Sequence, residues 1–548
     1  MKIKQKIGLL FLRGIQELKK RYQKSTGRFL DREGRWTLTN QDVIWPLAWL
    51  FTENFPGNYL YHSQEILGMI KKAGQAILSC QDSQGKTPFI KADGSFWGKI
   101  YMPWTMFHWL ESFRVCQDFL TAKERKSWAH GLFLAHQGML EEIKQASVHN
   151  IFAWKAMSVY RAGQIFHQPS WKKVSSCFLT KVASAMHPDG FWPEGSGPTV
   201  SYNTIYVHAL GLYYFMSGET KILPALNQAT EFHSRFLYPD GSLVETIDGR
   251  VKYKADVLTT GWPGFLASEK GKSLVSFLMR WLVKRYPEGF ISPHLTSALT
   301  ILPEEEFSSS AVFQEKKKHQ EVFREKACLR KKGPFFTCLS GYVLPAKAQR
   351  ENFENRWLLD RSCFVSVWHK KCGLIITADN SKNQPGWANF SFWNRARRVW
   401  SPVAARVSSR GAVDTLSLDF DGAKAHIRLS IPGGNRAKIT FSVRSFANCC
   451  CARIAVNLRL PENTHIRIGE RNFTVEPLTE LRAELKPGQV ILTENWHLTS
   501  KLASWFFWPV YPFHPYDITG LAPKDQIRAQ LVFYLNREIR ENTILLFV

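Results

Sequence analysis

Residues 187–216 read HPDGFWPEGSGPTVSYNTIYVHALGLYYFM, and this stretch holds both halves of the pattern that decides the fold. Its first part is a turn cluster, with Asp189-Gly190 and two further glycines among prolines and a serine. Its second part, TIYVHALGLYYFM (204–216), spaces apolar and aromatic residues as a helix does. KADGSFWG (91–98) stands in the same way before WTMFHWLESFRVCQDFL (104–120), and YPDGSLVETIDGR (238–250) supplies a third Asp-Gly cluster. A unit of helix, Asp-Gly loop and helix that recurs along the chain predicts helical hairpins set side by side. Such hairpins can close into an α/α barrel or an incomplete α/α toroid over residues 1–305, whose loops gather at one end around a groove.

The texture changes near residue 335. FTCLSGYVL, CFVSVWH, GLIITADN, AHIRLSI, AKITFSVRSF, ARIAVNLRL, QVILTENW and AQLVFYL are short alternating or β-branched runs, punctuated by PGGN (432–435) and KPGQ (486–489). So many strands without a long helical pattern between them predict a large antiparallel β-sandwich over 335–548. The polar stretch between, EEEFSSS (304–310) and then KKKHQEVFREKACLRKK (316–332), reads as a solvated linker over 306–334. The fold class is multidomain α + β, and 548 residues exceed what one hydrophobic core supports.

With 72 Lys and Arg against 46 Asp and Glu, the formal charge of +26 favours polyanionic partners. No helix-turn-helix signature, zinc-finger spacing or long basic block is present, so nucleic acid ranks below an acidic polysaccharide or oligosaccharide. The aromatic share of 14%, with 20 Trp, suits sugar rings, whose C–H faces stack on indole. Ten cysteines without paired spacing, including Cys449, Cys450 and Cys451, fit a reducing, cytoplasmic compartment better than a disulfide framework. MKIKQKIGLLFLRGIQELKKRYQ (1–23) reads as an amphipathic first helix. An atypical secretion signal, to the periplasm or outside, is its alternative. No apolar run reaches the roughly 20 residues of a membrane span, so no integral membrane association is expected. Nothing in the sequence fixes an oligomeric state.

Two segments carry a resemblance. VHNIFAWKAMSVYRAG (148–163) and HPDGFWPEGSGPTVSYNTIY (187–206) resemble, in order and separation, the Asn-bearing helix and the Tyr-bearing helix of the heparinase II/III-like polysaccharide lyases. The resemblance implies a toroid followed by a β-sandwich. It also implies a lyase acting on a uronate-containing glycan, of glycosaminoglycan or alginate type, with Asn150 and Tyr202 as catalytic residues. The chain departs from the pattern in two places. Ile151 follows Asn150 where His is frequent, the histidine being His149 instead, and TADNSKNQPGWANFSFW (377–393) holds no His where relatives have several. A third catalytic group is left open between His149 and His369. No cofactor is required, and a divalent metal in the β-rich part has no support in the sequence.

The chemistry explains why these residue types matter. β-Elimination takes the C5 proton of a uronate and expels the 4-linked oxygen, so charge develops next to a carboxylate. An amide such as Asn150 stabilises that charge by donating a hydrogen bond without titrating. A tyrosine such as Tyr202 can act as base and acid when both atoms lie on one face of the sugar. Its ordinary pKa near 10 requires cationic neighbours to bring it toward neutrality, for which His149, Arg161 and Arg250 are candidates. Glu194 would orient the tyrosine or bind hydroxyls. Trp97, Trp104, His108, Trp154, Trp192 and Tyr206 are candidate sugar platforms. Tyr206 lies one helical turn beyond Tyr202, and His208 falls off that face.

Three other readings use the same residues. A glycoside hydrolase in an α/α barrel would need paired carboxylates, for which Asp189, Glu194, Asp240, Glu245 and Asp248 are available. A uronate epimerase would reprotonate the same carbanion from the opposite face. A non-catalytic glycan-binding protein would keep the aromatics and the charge alone.

Overall fold

The computed structural model describes residues 3–91, 94–195, 197–302, 318–394, 397–433, 435–447 and 449–548. They form two compact units. The first comprises Met1–Phe191, Tyr202–Ser234 and Val257–Phe313; the second comprises Trp192–Ser201, Arg235–Asp256 and Gln314–Val548. Two loops of the N-terminal half therefore group with the β-rich half, which a single boundary near residue 305 does not allow. The stretch expected as a linker supplies two strands, Lys318–Phe323 and Ala327–Lys332. Its residues 306–317 lie outside the described residues. The first of these strands ends its sheet, and its polar sequence, KHQEVF, has the composition of a solvated connector.

The helices of the first unit are α1 (Ile3–Lys20), α2 (Ile44–Thr52), α3 (Gln64–Cys80), α4 (Pro103–Cys116), α5 (Ala122–Gln145), α6 (Asn150–Ile165), α7 (Pro169–Ser184), α8 (Val200–Ser217), α9 (Leu223–Arg235), α10 (Trp262–Phe265), α11 (Glu269–Arg285) and α12 (Pro293–Leu299). They form two layers. Helices α2, α4 and α6 are neighbours, as are α3, α5 and α7, and consecutive members pair as hairpins. The sequences explain the layering. All of Ile44–Phe51 in α2 is buried, as are both faces of α4, whereas α3 buries one stripe through Ile66, Ile70, Ala73 and Ile77. Helix α5 starts on a capping box, Thr121 and Glu124 each accepting from the other's backbone N–H at 3.2 and 2.8 Å. Glycines set the closest approach, since a Cβ on Gly211 of α8 would lie 2.0 Å from the Gly264 nitrogen of α10. Helix α12 returns to α2, where Trp45 Nε1 donates to Ser297 Oγ at 3.2 Å.

The Asp-Gly clusters lie in the loops that enter α4 and α8 and in the loop after α9. Gly94, Gly190 and Gly241 each have φ between 81° and 90°, the left-handed region that glycine enters without strain. Asp93 lies outside the described residues.

Among the described residues the second unit has an 11-stranded and a 9-stranded sheet. Every strand pair in them is antiparallel, as in the ladder between Val413–Phe420 and Ala423–Gly433. Alternation along these strands puts Leu416, Leu418, Ile427 and Leu429 inside. They share one core with Ile454, Leu531 and Phe533 of the larger sheet, a sandwich as the runs after residue 335 predicted.

Candidate active site

Helix α6 begins at Asn150 because His149 caps it. The His149 backbone is extended (φ −153°, ψ 152°), and its Nδ1 accepts from the Ile151 N–H at 3.3 Å. An imidazole that accepts at Nδ1 carries its proton at Nε2 when neutral, so His149 is a donor there. Asn150 is 1% exposed.

Helix α8 runs beside α6, parallel and in step. Trp154 stacks on His208 at 5.1 Å, Tyr160 meets Tyr213 edge-on at 5.0 Å, and Gln164 Nε2 donates to Met216 O at 3.1 Å. Counting back from the Trp154–His208 level places Tyr202 about 3 Å from Asn150 in height along the axes, at 1.5 Å per residue. Helix α4 keeps the same direction, with Trp104 and His108 each 6.2 Å from Trp154 and Arg161 of α6 paired to Glu111. The N-termini of α4, α6 and α8 therefore share one end of the unit, which favours anions through the helix dipoles. Trp104 and Tyr202 are partly exposed there. The hairpin Thr87–Ile90 with Phe96–Ile100 leads into α4 at that end. It presents Trp97, 41% exposed, under Lys91 Nζ at 4.2 Å.

Below this end the ring is filled. His108, Trp154 and His208 are buried, and the partly exposed His294 packs on them, 5.4 Å from His108, 5.5 Å from His208 and 5.1 Å from Trp154. His108 Nδ1 lies 3.4 Å from Asp42 Oδ2. His108 and Trp154 are core and not sugar platforms, and Tyr206 at 2% exposure is buried as well. Arg161 is also misplaced by the sequence reading. It stands three turns beyond Asn150, about 16 Å along α6, where it pairs with Glu111, itself also bound by Arg114 at 2.9 Å. Both guanidiniums hold the fully buried Glu111 carboxyl below its ordinary pKa against the opposing effect of desolvation.

The loop before α8 belongs to the second unit and is fixed there. Asp248 Oδ2 accepts from Val200 N at 2.8 Å and so caps α8 two residues ahead of Tyr202, while its Oδ1 accepts from Arg250 N and Val251 N at 2.7 and 2.9 Å. Burial raises the Asp248 pKa against these hydrogen bonds. The buried Arg361 donates to Pro198 O and Ile247 O, both at 2.7 Å. Gly197 and Gly249 make room for it, since a Cβ on either would come within 2.8 and 2.5 Å of the guanidinium. Desolvation brings the Arg361 pKa down to about 10. Glu194 pairs with Arg250 at 2.9 Å, and Arg250 also donates to Tyr516 Oη at 3.0 Å. Trp192, 1% exposed, is core and not a platform. Sequence reasoning missed the clamp formed by Asp248 and Arg361. Asp248 stood out only as a loop carboxylate, and Arg361 carried no signal.

His369 does not qualify as a third catalytic group. It is 5% exposed, its Nδ1 accepts from Lys371 N at 3.2 Å in the turn that ends its strand, and its ring packs on Phe335 at 4.8 Å. Burial lowers its pKa to about 4. The carboxylates that a hydrolase would need are engaged in holding loops. Asp240 Oδ1 accepts from Ser242, and Glu245 binds Tyr238 Oη, Thr377 Oγ1 and Ala378 N at 2.7, 3.2 and 3.0 Å. Among the described residues no group of three or more His, Cys, Asp or Glu is arranged to hold a metal ion. All ten cysteines are free thiols, and no described helix is long and apolar enough to cross a membrane.

No protein-family model matches the chain, and no curated protein does. Solved structures do. A Paenibacillus xanthan lyase matches with a TM-score of 0.57 at 10% identity, over 100% of this chain and 57% of its own. Heparinase III matches at 0.53 and 10%, over 95% of this chain and 80% of its own. The Streptomyces coelicolor A3 chondroitin AC lyase, solved with chondroitin sulphate, matches at 0.52 and 12%, over 99% and 79%. The fold is that of polysaccharide lyases. The toroid-and-sandwich expectation is thereby met, and the chain spans little more than half of the xanthan lyase.

Proposed function

We propose that this chain is a polysaccharide lyase that cleaves an acidic, uronate-containing glycan by β-elimination, with Asn150 and Tyr202 as its catalytic residues. The observation that carries the proposal is their placement. They stand on the first turns of two parallel, in-step inner helices of a lyase fold, within about 3 Å in height. Helix N-termini on that side favour the substrate carboxylate. Asn150 donates to the carboxylate as the C5 carbanion forms, and His149, protonated at Nε2 when neutral, is the second donor. Tyr202 takes the C5 proton and returns it to the leaving 4-oxygen. Trp104 and Trp97 are the platforms, while Glu194 and Arg250, paired to each other, fix the loop ahead of Tyr202. The engagement of Asp240, Glu245 and Asp248 in backbone and side-chain hydrogen bonds favours this reading over a hydrolase, which needs two positioned carboxyls free for proton transfer.

The test is digestion of heparan sulfate, chondroitin sulfate, hyaluronan, alginate and xanthan, followed by the ultraviolet absorbance of the unsaturated product. At least one polymer gives product, Tyr202→Phe lowers the rate by about 10²–10⁴-fold and Asn150→Ala by about 10²–10³-fold. Cleavage that yields saturated ends only, or an undiminished rate in Tyr202→Phe, refutes the proposal.

A further inference from the structure

The larger sheet of the second unit has two unlike faces. One feeds the sandwich core with Phe390, Ile454, Phe506, Leu531 and Phe533. On the other, where alternation normally places small polar side chains, aromatic rings and guanidiniums stand in line. Five strands lie side by side there in the order Leu481–Leu485, Ser504–Val510, Arg528–Asn536, Cys449–Leu458 and Phe390–Asn394. On the first two, Arg482 faces Phe507 and Glu484 faces Trp505. The Arg482 guanidinium lies 4.8 Å over Trp505 and 5.6 Å over Phe507, whose rings stack on each other at 6.4 Å. Trp505 pairs with Val532, two residues before Tyr534 on the same face. Tyr534 faces Arg453, which faces Ser391, and the Tyr534 ring sits 6.3 Å from Trp393. Arg398 closes the row, 4.6 Å over Trp393.

The strip crosses four interstrand spacings, about 19 Å at 4.8 Å each. Tyr534 is 52% exposed, and Trp505, Phe507 and Trp393 are partly so. Three arginines, Arg398, Arg453 and Arg482, stand along it with Glu484 as the acidic neighbour, in a chain of charge +26. Exposed rings gain nothing from water, and arginines laid flat on them keep guanidinium edges available for anions.

We propose that this strip is a second, non-catalytic binding face for an acidic polysaccharide, its rings stacking on sugar C–H faces and its arginines pairing with carboxylate or sulfate groups. The choice of polysaccharide over nucleic acid rests on the lyase reading, whereas the recognition itself requires no chemistry at Tyr202. The test is affinity electrophoresis of the full chain through gels containing heparin, hyaluronan or alginate. The parent is retarded by at least one of them, and Trp505→Ala/Tyr534→Ala weakens that retardation at least tenfold. Arg398→Gln/Arg482→Gln, which keeps the four rings and removes two charges together with the Arg398–Ser391 hydrogen bond, weakens it at least threefold. Tyr202→Phe is retarded like the parent. If Tyr202→Phe and the parent alike make no unsaturated product while the strip variants still lose retardation, the lyase reading falls and the strip stands. Three results overturn the strip: retardation by none of the polymers, retardation unchanged in both strip variants at unchanged melting temperature, or tighter binding of the parent to oligothymidylate than to any polysaccharide at matched salt.

Discussion

Four histidines of the first unit, three of them fully buried, have imidazoles that resist protonation, which makes its stability acid-labile. Desolvation lowers the pKa of His233 and His294 to about 3, that of His136 to about 4, and that of His208 well below the ordinary imidazole value of 6.5. The unfolded chain, titrating near 6.5, binds protons that the folded chain does not. Stability is therefore present in full above pH 6.5 and is lost as pH falls from there toward 3. Between pH 7 and pH 5 each such imidazole withdraws about 2 kcal/mol. The four together reach several kcal/mol, a large share of the whole stability of a typical domain. His233 isolates the effect, because both its nitrogens are buried without a hydrogen-bond partner and its ring packs on Phe232 and Phe265 at 5.4 and 5.6 Å. His233→Leu thus removes a proton site and no hydrogen bond. Melting temperatures of parent and variant at pH 7, 6 and 5 measure the difference, which also cancels Glu245. Burial and Asp379 push that carboxyl up to about 7, and its contribution runs the opposite way, falling as pH rises. The variant should lose about 3 °C less than the parent between pH 7 and 5. A variant that loses as much as the parent over that window refutes the reasoning.

Arg528→Met should cost the second unit about 3–5 kcal/mol in urea unfolding, because it strands the Asp379 carboxylate, which is 0% exposed and held by Arg528 at 2.7 and 2.6 Å. Gly197→Ala forces a methyl to within 2.8 Å of the Arg361 guanidinium and should cost about 1–3 kcal/mol. Gly68→Ala, on an open and exposed turn of α3, should instead gain about 0.5–1 kcal/mol. Asp248→Ala removes the cap ahead of Tyr202 and should lower the melting temperature by the equivalent of about 1–2 kcal/mol. If the cap positions Tyr202 for the proposed elimination, turnover falls more than that loss of stability explains, and initial rates well below the melting transition decide it.

Element types were legible in the sequence because the two periods are unlike. The apolar spacing of residues 204–216 gave α8, and alternation in AHIRLSI gave a buried strand flanked by others. What escaped was which helices form the inner layer. Trp154 and His108 carry the residue types of a sugar site, yet they belong to helices buried on all sides, so they fill the ring's centre. Arg161 and Asn150 share a helix, and proximity in sequence concealed three turns of rise. His369 stood near the right strand but faces a turn amide. Asn150, His149 and Tyr202 lie at helix starts, which local signals do mark. The partners that hold Tyr202's helix lie 46 residues downstream at Asp248 and farther still at Arg361, and no local pattern announces such pairs.

The assignment of residues 192–201 and 235–256 to the sheet-bearing unit has a consequence for synthesis. While the N-terminal half leaves the ribosome, these loops have no counterpart to settle on. Tyr238 awaits Ser366, Glu245 awaits Thr377, and Asp248 and Gly249 await Asn380 and Leu359. The start of α8, with Tyr202 two residues in, is capped by Asp248 from the second loop, while Arg361, which binds the Pro198 carbonyl just ahead of it, follows only after more than a hundred further residues. A chain cut at residue 305 would keep its inner helices and lose the partners of both loops. Residues 192–201 and 235–256 thus complete their hydrogen bonding only once the residues around 359–380 have been made.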